Sequence, residues 1–105
     1  MKSKVIALVP AYNEAENIEL TVSSLRGVGL IDEIVVVDDG STDDTGTRAS
    51  MAEAKVIALG RNLGKGEALN VALKDIGDDY DFWLFIDGDL GDSASEAEEL
   101  LKPVV

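Results

Sequence analysis

The chain has 105 residues and a formal net charge of −12, with 21 acidic residues against 9 basic ones, no histidine and no cysteine. That length suits one small domain, and a hydrophobic fraction of 46% supplies a core. The acidity disfavours nucleic acid and anionic membrane surfaces, and the missing residue types exclude imidazole triads, ordinary zinc sites and disulfides.

The first apolar run is Val5 to Val9, ending at Pro10. It is too short for a signal-peptide core and suits a buried strand. A helix with Ile18, Val22 and Leu25 on one face follows, with Asn13 as its expected cap and Glu16 as the capping-box acid. A second strand runs Ile34 to Val37. The next helix is expected to start from a Ser41–Asp44 capping box, with Asp43 in its first turn. A third strand covers Val56 to Leu59, and a helix with Leu69, Ala72, Leu73 and Ile76 in one stripe follows. The fourth strand is Phe82 to Ile86, and a last helix is expected from a Ser93–Glu96 box, with Ala97, Leu100 and Leu101 inward.

None of the four strand runs alternates polar with apolar, so each reads as covered on both faces. Four strand–helix units predict an α/β, Rossmann-like, doubly wound parallel sheet of order 3-2-1-4. Lys102-Pro103-Val104-Val105 starts an apolar segment at the end of the sequence, which reads as a domain cut from a longer protein. No stretch reaches the ~18 apolar residues of a membrane span, so no direct membrane insertion is expected. Absence of cysteine fits a reducing, cytoplasmic setting, although a full-length protein could still be membrane-associated.

In such a sheet, ligands bind beyond the carboxyl ends of the strands. The four segments there are Pro10-Ala-Tyr-Asn-Glu14, Asp38-Asp-Gly-Ser-Thr42, Gly60-Arg-Asn-Leu-Gly-Lys-Gly66 and Asp87-Gly-Asp89. Asp87 and Asp89 flank a glycine and form either a solvated turn or a pair of hard oxygen ligands for Mg²⁺ or Mn²⁺. Asp38 and Asp39 should point to opposite sides, one toward a ligand, unless both cap the next helix; Ser41 and Thr42 are the better caps. Gly60 to Gly66 is not a Walker A loop, since three residues rather than four separate Gly60 from Gly64 and a glycine follows Lys65. It reads as a turn bringing Arg61 and Lys65 to a helix start, either for a phosphate or for solvent. Tyr12 is a base-stacking ring or a packed aromatic. Trp83, Phe82 and Phe85 read as core.

These four segments, in order, resemble the nucleotide-binding half of a family 2 glycosyltransferase with the GT-A fold, the nucleotide-diphospho-sugar transferase type. Gly64-Lys-Gly-Glu-Ala68 is similar to the loop of dolichyl-phosphate mannose synthase-like and glucosyl-3-phosphoglycerate synthase-like members. The resemblance implies that residues 1–105 form a donor-binding domain for a UDP- or GDP-linked sugar. Pro10, Ala11, Tyr12 and Glu14 would line the base and ribose pocket, and Asp39 would bond the base. Gly64 and Lys65 would lie near the nucleotide. Asp87 and Asp89 would form the D-x-D metal site, with Asp87 also at the nucleotide. Family members continue further and supply the acceptor pocket and remaining catalytic residues there, so no catalytic residue is assigned to this chain. Two other readings are a nucleotidyltransferase, which should carry a Gly- and Arg-containing loop after the first strand, and a non-catalytic nucleotide- or Mg²⁺-binding module of receiver type, whose acidic pair should follow the first strand. The uncharged fourth strand, expected at a sheet edge, predicts a homodimer through that edge.

Overall fold

The computed structural model describes residues 4–77 and 79–86. The elements are β1 (Val5–Ala11), α1 (Ile18–Arg26), β2 (Glu33–Asp38), α2 (Thr45–Met51), β3 (Lys55–Ala58), α3 (Lys65–Ile76) and β4 (Phe82–Phe85). The sheet order is β3-β2-β1-β4, as expected of a doubly wound sheet, and every pairing is parallel, as the apolar runs predict. The last expected helix and the terminal segment lie outside the described residues.

β1 is buried along its whole length, so it carries no polar side chain except at its flanks. Its odd-numbered residues Ala7, Val9 and Ala11 pack with Ile18, Val22 and Leu25 of α1 and Ala49 of α2. Its even-numbered residues Ile6 and Leu8 pack instead with Val35 and with Leu69, Leu73 and Ile76 of α3. The period-two alternation of a strand thus sends α1 and α2 to one face and α3 to the other. Fully burying side chains such as Ile6 and Leu8 stabilises the fold by about 1.5–3 kcal/mol each.

Pro10 is tolerated in this central strand for a geometric reason. Leu8 accepts the Ile86 N–H at 3.0 Å, and Ala11 accepts the Asp39 N–H at 2.9 Å. Even positions of β1 therefore face β4 and odd ones face β2. The β1–β4 ladder ends at Leu8 and Phe85, so the missing N–H of Pro10 falls beyond the last described pair.

Two expectations fail at β4. Trp83 is half-buried and stacks edge-on to Tyr80 at 5.8 Å, as a core residue should. Phe82 and Phe85, also expected in the core, are 54% and 52% exposed. With β1 as its one described neighbour, β4 does not have the double cover that buries β1 and β2. Among the described residues no helix is long and apolar enough to cross a membrane.

Candidate functional site

Strand order reverses at β1, which is flanked by β2 on one side and β4 on the other. A crevice opens beyond the carboxyl ends of strands at such a switch point. Three described segments meet there: residues 12–17 after β1, 39–44 after β2 and 59–64 after β3.

The first two are tied by an exchange of side-chain and backbone bonds. Asn13 donates its N–H to Ser41 Oγ at 2.9 Å, and its Oδ1 accepts the Thr42 N–H at 2.8 Å. Glu14 donates its N–H to Thr45 Oγ1 at 2.9 Å. Asp43 Oδ2 accepts the Ala15 N–H at 3.3 Å, and its Oδ1 accepts the N–H of Thr45 at 3.0 Å and also its hydroxyl proton. The Thr45 hydroxyl, followed by backbone N–H groups, holds the Asp43 carboxyl below its usual range, against the opposing effect of desolvation.

These bonds overturn the expected caps. Asn13 does not cap α1; it sits in the left-handed region at φ 53 and bonds across to Thr42. Asn17 and Asp44 occupy the cap positions of α1 and α2, and neither makes a side-chain cap bond. Ser41 and Thr42 also do not cap α2, since Ser41 Oγ is turned to Asn13. Short polar side chains serve any unpaired N–H within reach, and here the nearest lie on the neighbouring loop.

The adjacent acids do point to opposite sides, as alternation requires. Asp38 turns toward α2: its Oδ1 accepts the Ser41 N–H at 3.0 Å, and a Cβ placed on Gly46 would sit 2.8 Å from its Oδ2. Asp39 turns toward the glycine-rich loop and is only 4% exposed. Its Oδ1 accepts the Leu63 N–H at 2.7 Å and its Oδ2 the Gly64 N–H at 3.0 Å. Neither acid stands free over the crevice.

Gly40 makes this junction possible. It has φ +72, and a Cβ there would lie 2.3 Å from the Arg61 carbonyl carbon. Gly64, at φ +89, precedes α3, and Lys65 is the first residue of that helix. Of the residues that the resemblance assigns to the nucleotide, Pro10 and Ala11 are buried in β1, Glu14 is half-buried and Tyr12 is 45% exposed. Sequence reasoning named Gly40 only as part of a loop segment and missed Asp43 and Thr45 as parts of the site framework.

Asp87 and Asp89 lie outside the described residues. Among the described residues no group of three or more His, Cys, Asp or Glu side chains could hold a metal ion. A groove of about 620 Å³ opens at the opposite end of the sheet, lined by Glu33, Lys55, Asp75 and Tyr80. There Glu33 is already engaged by Lys55 and by the Tyr80 hydroxyl. The polar backbone and glycines of the three loops gather at the other edge, which is therefore the candidate site.

Comparison with known proteins gives the same fold. Residues 6–105 match the family model for glycosyl transferase family 2. Glucosyl-3-phosphoglycerate synthase of Mycobacterium tuberculosis is 39% identical over 95 residues, covering 82% of this chain and 29% of that protein. Glycosyltransferase AglJ of Haloferax volcanii is 37% identical over 100 residues, covering 95% of this chain and 32% of that protein. The crystal structure of the Mycobacterium tuberculosis synthase with Mn²⁺, uridine diphosphate and phosphoglyceric acid superposes with a TM-score of 0.75 at 36% identity, covering 86% of this chain and 34% of that one. The chain thus spans about a third of the length of these relatives. Its four-strand parallel sheet of order 3-2-1-4 is that of the GT-A glycosyltransferases, and the chain belongs to glycosyl transferase family 2.

Proposed function

We propose that residues 1–105 are the donor-binding domain of a longer glycosyltransferase, binding a UDP- or GDP-linked sugar with Mg²⁺ or Mn²⁺. The observation that carries this reading is the knot of three loops at the switch point, joined through Asn13, Asp39 and Asp43. It presents backbone and polar groups at the edge where parallel sheets take nucleotides. Solved structures of the mycobacterial relative with Mn²⁺ and UDP-glucose, and with Mg²⁺ and UDP, support the donor class and the metal.

In this reading Pro10, Ala11, Tyr12 and Glu14 line the base and ribose pocket, with the Tyr12 ring at its rim. Asp39 is the residue that the family resemblance assigns to the base. Gly64 and Lys65 sit by the nucleotide, where a cation and an opening helix favour phosphate oxygens. Asp87 and Asp89 hold the divalent cation, with Asp87 also next to the nucleotide. A cation held by that pair would supply charge neutralisation for the departing diphosphate. The residues of this chain bind and orient the donor; transfer to an acceptor belongs to the whole protein. The domain is assigned to the cytoplasmic side, in keeping with a cysteine-free sequence. The edge of β4, with exposed Phe82 and Phe85, is proposed to pair with a second copy.

Calorimetric titration of UDP and GDP tests the reading. In a chain of net charge −12, a diphosphate and two carboxylates repel, so affinity is expected to need Mn²⁺ and to fall in EDTA. Asp89→Ala should remove the metal-dependent part and leave the fold intact. Equal affinity in Mn²⁺ and in EDTA would overturn the metal role. No binding of either nucleotide would overturn the donor site.

A further inference from the structure

We propose that Asp39 is a positioning residue, which fixes the glycine-rich loop and through it Lys65 before any nucleotide arrives. One residue here joins three parts of the site. Its N–H donates to Ala11 at the end of β1 at 2.9 Å. Its carbonyl oxygen accepts from Asn62 Nδ2 at 3.3 Å. Its two carboxylate oxygens accept the consecutive N–H groups of Leu63 and Gly64 at 2.7 and 3.0 Å.

Bonds from backbone N–H to an ionised carboxylate are roughly twice as strong as neutral ones, and here the accepting residue is only 4% exposed. They hold the two residues that come directly before α3, so they set the position of its first turn. The contact is tight on the backbone side as well, because Gly40 lies against Arg61 with no room for a Cβ. Gly64 itself has open space around its Cα, and its glycine answers to φ +89 alone. The loop is therefore shaped by Asp39 and by glycine conformations, and needs no ligand for its form.

This differs from a direct contact between Asp39 and a base. A base contact makes the residue matter for the nucleobase; a clamp on the loop makes it matter equally for anything that meets Lys65. The nucleotide arm of the test rests on the proposed donor site, whereas the ligand-free arm does not.

In the ligand-free full chain, the Leu63 and Gly64 amides should exchange at least about tenfold more slowly than unstructured amides. A scalar coupling across the hydrogen bond should link the Leu63 nitrogen to the Asp39 carboxyl carbon. Asp39→Asn turns one acceptor into a donor facing an N–H, and should raise exchange at both amides by about tenfold or more. The same variant should weaken UDP, GDP and inorganic pyrophosphate, each with Mn²⁺, by similar factors, on the order of tenfold. Unprotected amides in the unmodified chain, or protection that survives Asp39→Asn, would overturn the proposal. A loss of UDP affinity with pyrophosphate affinity unchanged would also overturn it, in favour of a base contact. If Asp39→Asn does not fold, the cross-bond coupling in the unmodified chain decides, and its absence at both amides refutes the clamp. Should neither nucleotides nor pyrophosphate bind the unmodified chain, the donor reading fails while the exchange result still judges Asp39.

Discussion

The side-chain oxygen of Asn13 accepts the backbone N–H of Thr42 at 2.8 Å, across 29 positions of sequence. Asn13 reaches it from the left-handed region at φ 53, where asparagine is among the few tolerated side chains. The loops after β1 and β2 are therefore tied to each other at this point.

Asn13→Ala removes that bond and adds a left-handed alanine, so it should destabilise the chain by about 1–3 kcal/mol. Asn13→Gly loses the same bond without the conformational cost and should fall between the two. Urea unfolding midpoints check the order. Alanine as stable as glycine would remove the backbone part of the explanation.

Gly40→Ala should be more severe. Its Cβ would lie 2.3 Å from the Arg61 carbonyl carbon, at a φ of +72 that alanine resists. A loss of about 2–4 kcal/mol is expected. Gly60→Ala is the control, since nothing lies within 4 Å of a Cβ there, and it should stay within about 0.5 kcal/mol. Thermal melts of the two variants should separate clearly.

The Asp43 carboxyl gives a pH signature. The Thr45 hydroxyl chiefly lowers its pKa in the folded chain below the ordinary 3.8. A group depressed on folding contributes stability that is present above its unfolded pKa and lost as pH falls through its folded one. Asp43→Asn should therefore melt below the unmodified chain at neutral pH by a gap that holds down to about pH 4. The gap should shrink as the pH falls further. A gap that stays constant to the lowest pH reached would show that Asp43 acts only through its shape.

The strands were legible because each is a continuous apolar run, and burial on both faces leaves few other readings for Ile34 to Val37 or Val5 to Val9. Their ends were less so. β1 extends through Pro10 and Ala11, which pair with Val37 and Asp38, and no propensity announces that. Helix positions were legible from spacing, whereas their caps were not. Asn13 and Ser41 have the right chemistry for caps, but a sequence cannot reveal that each finds its partner on the other's loop. The same holds for Asp39, whose partners Leu63 and Gly64 lie 24 and 25 positions away. Phe82 and Phe85 misled because their exposure depends on the place of β4 in the sheet, not on their own composition.

Association should grow with salt. The charge of −12 opposes contact between copies, while the uncharged β4 offers Phe82 and Phe85 at its surface. Screening falls to a length of about 3 Å at 1 M salt, which removes the repulsion and leaves the apolar contact. Light scattering over a salt series should show dimers gaining on monomers. A strict monomer at high salt and high protein concentration would exclude the β4 interface.

The place of β1 between β2 and β4 also sets a timetable. A ribosome adding about 5–20 residues per second delivers β4 roughly 4–15 s after β1. Until then the most apolar strand of the nascent chain has β2 on one side and an open ladder on the other, so the strand made first is completed last. Translation speed through residues 39–81 thus governs how long that ladder stays open to other chains, and slow codons there should lower soluble yield without changing one amino acid.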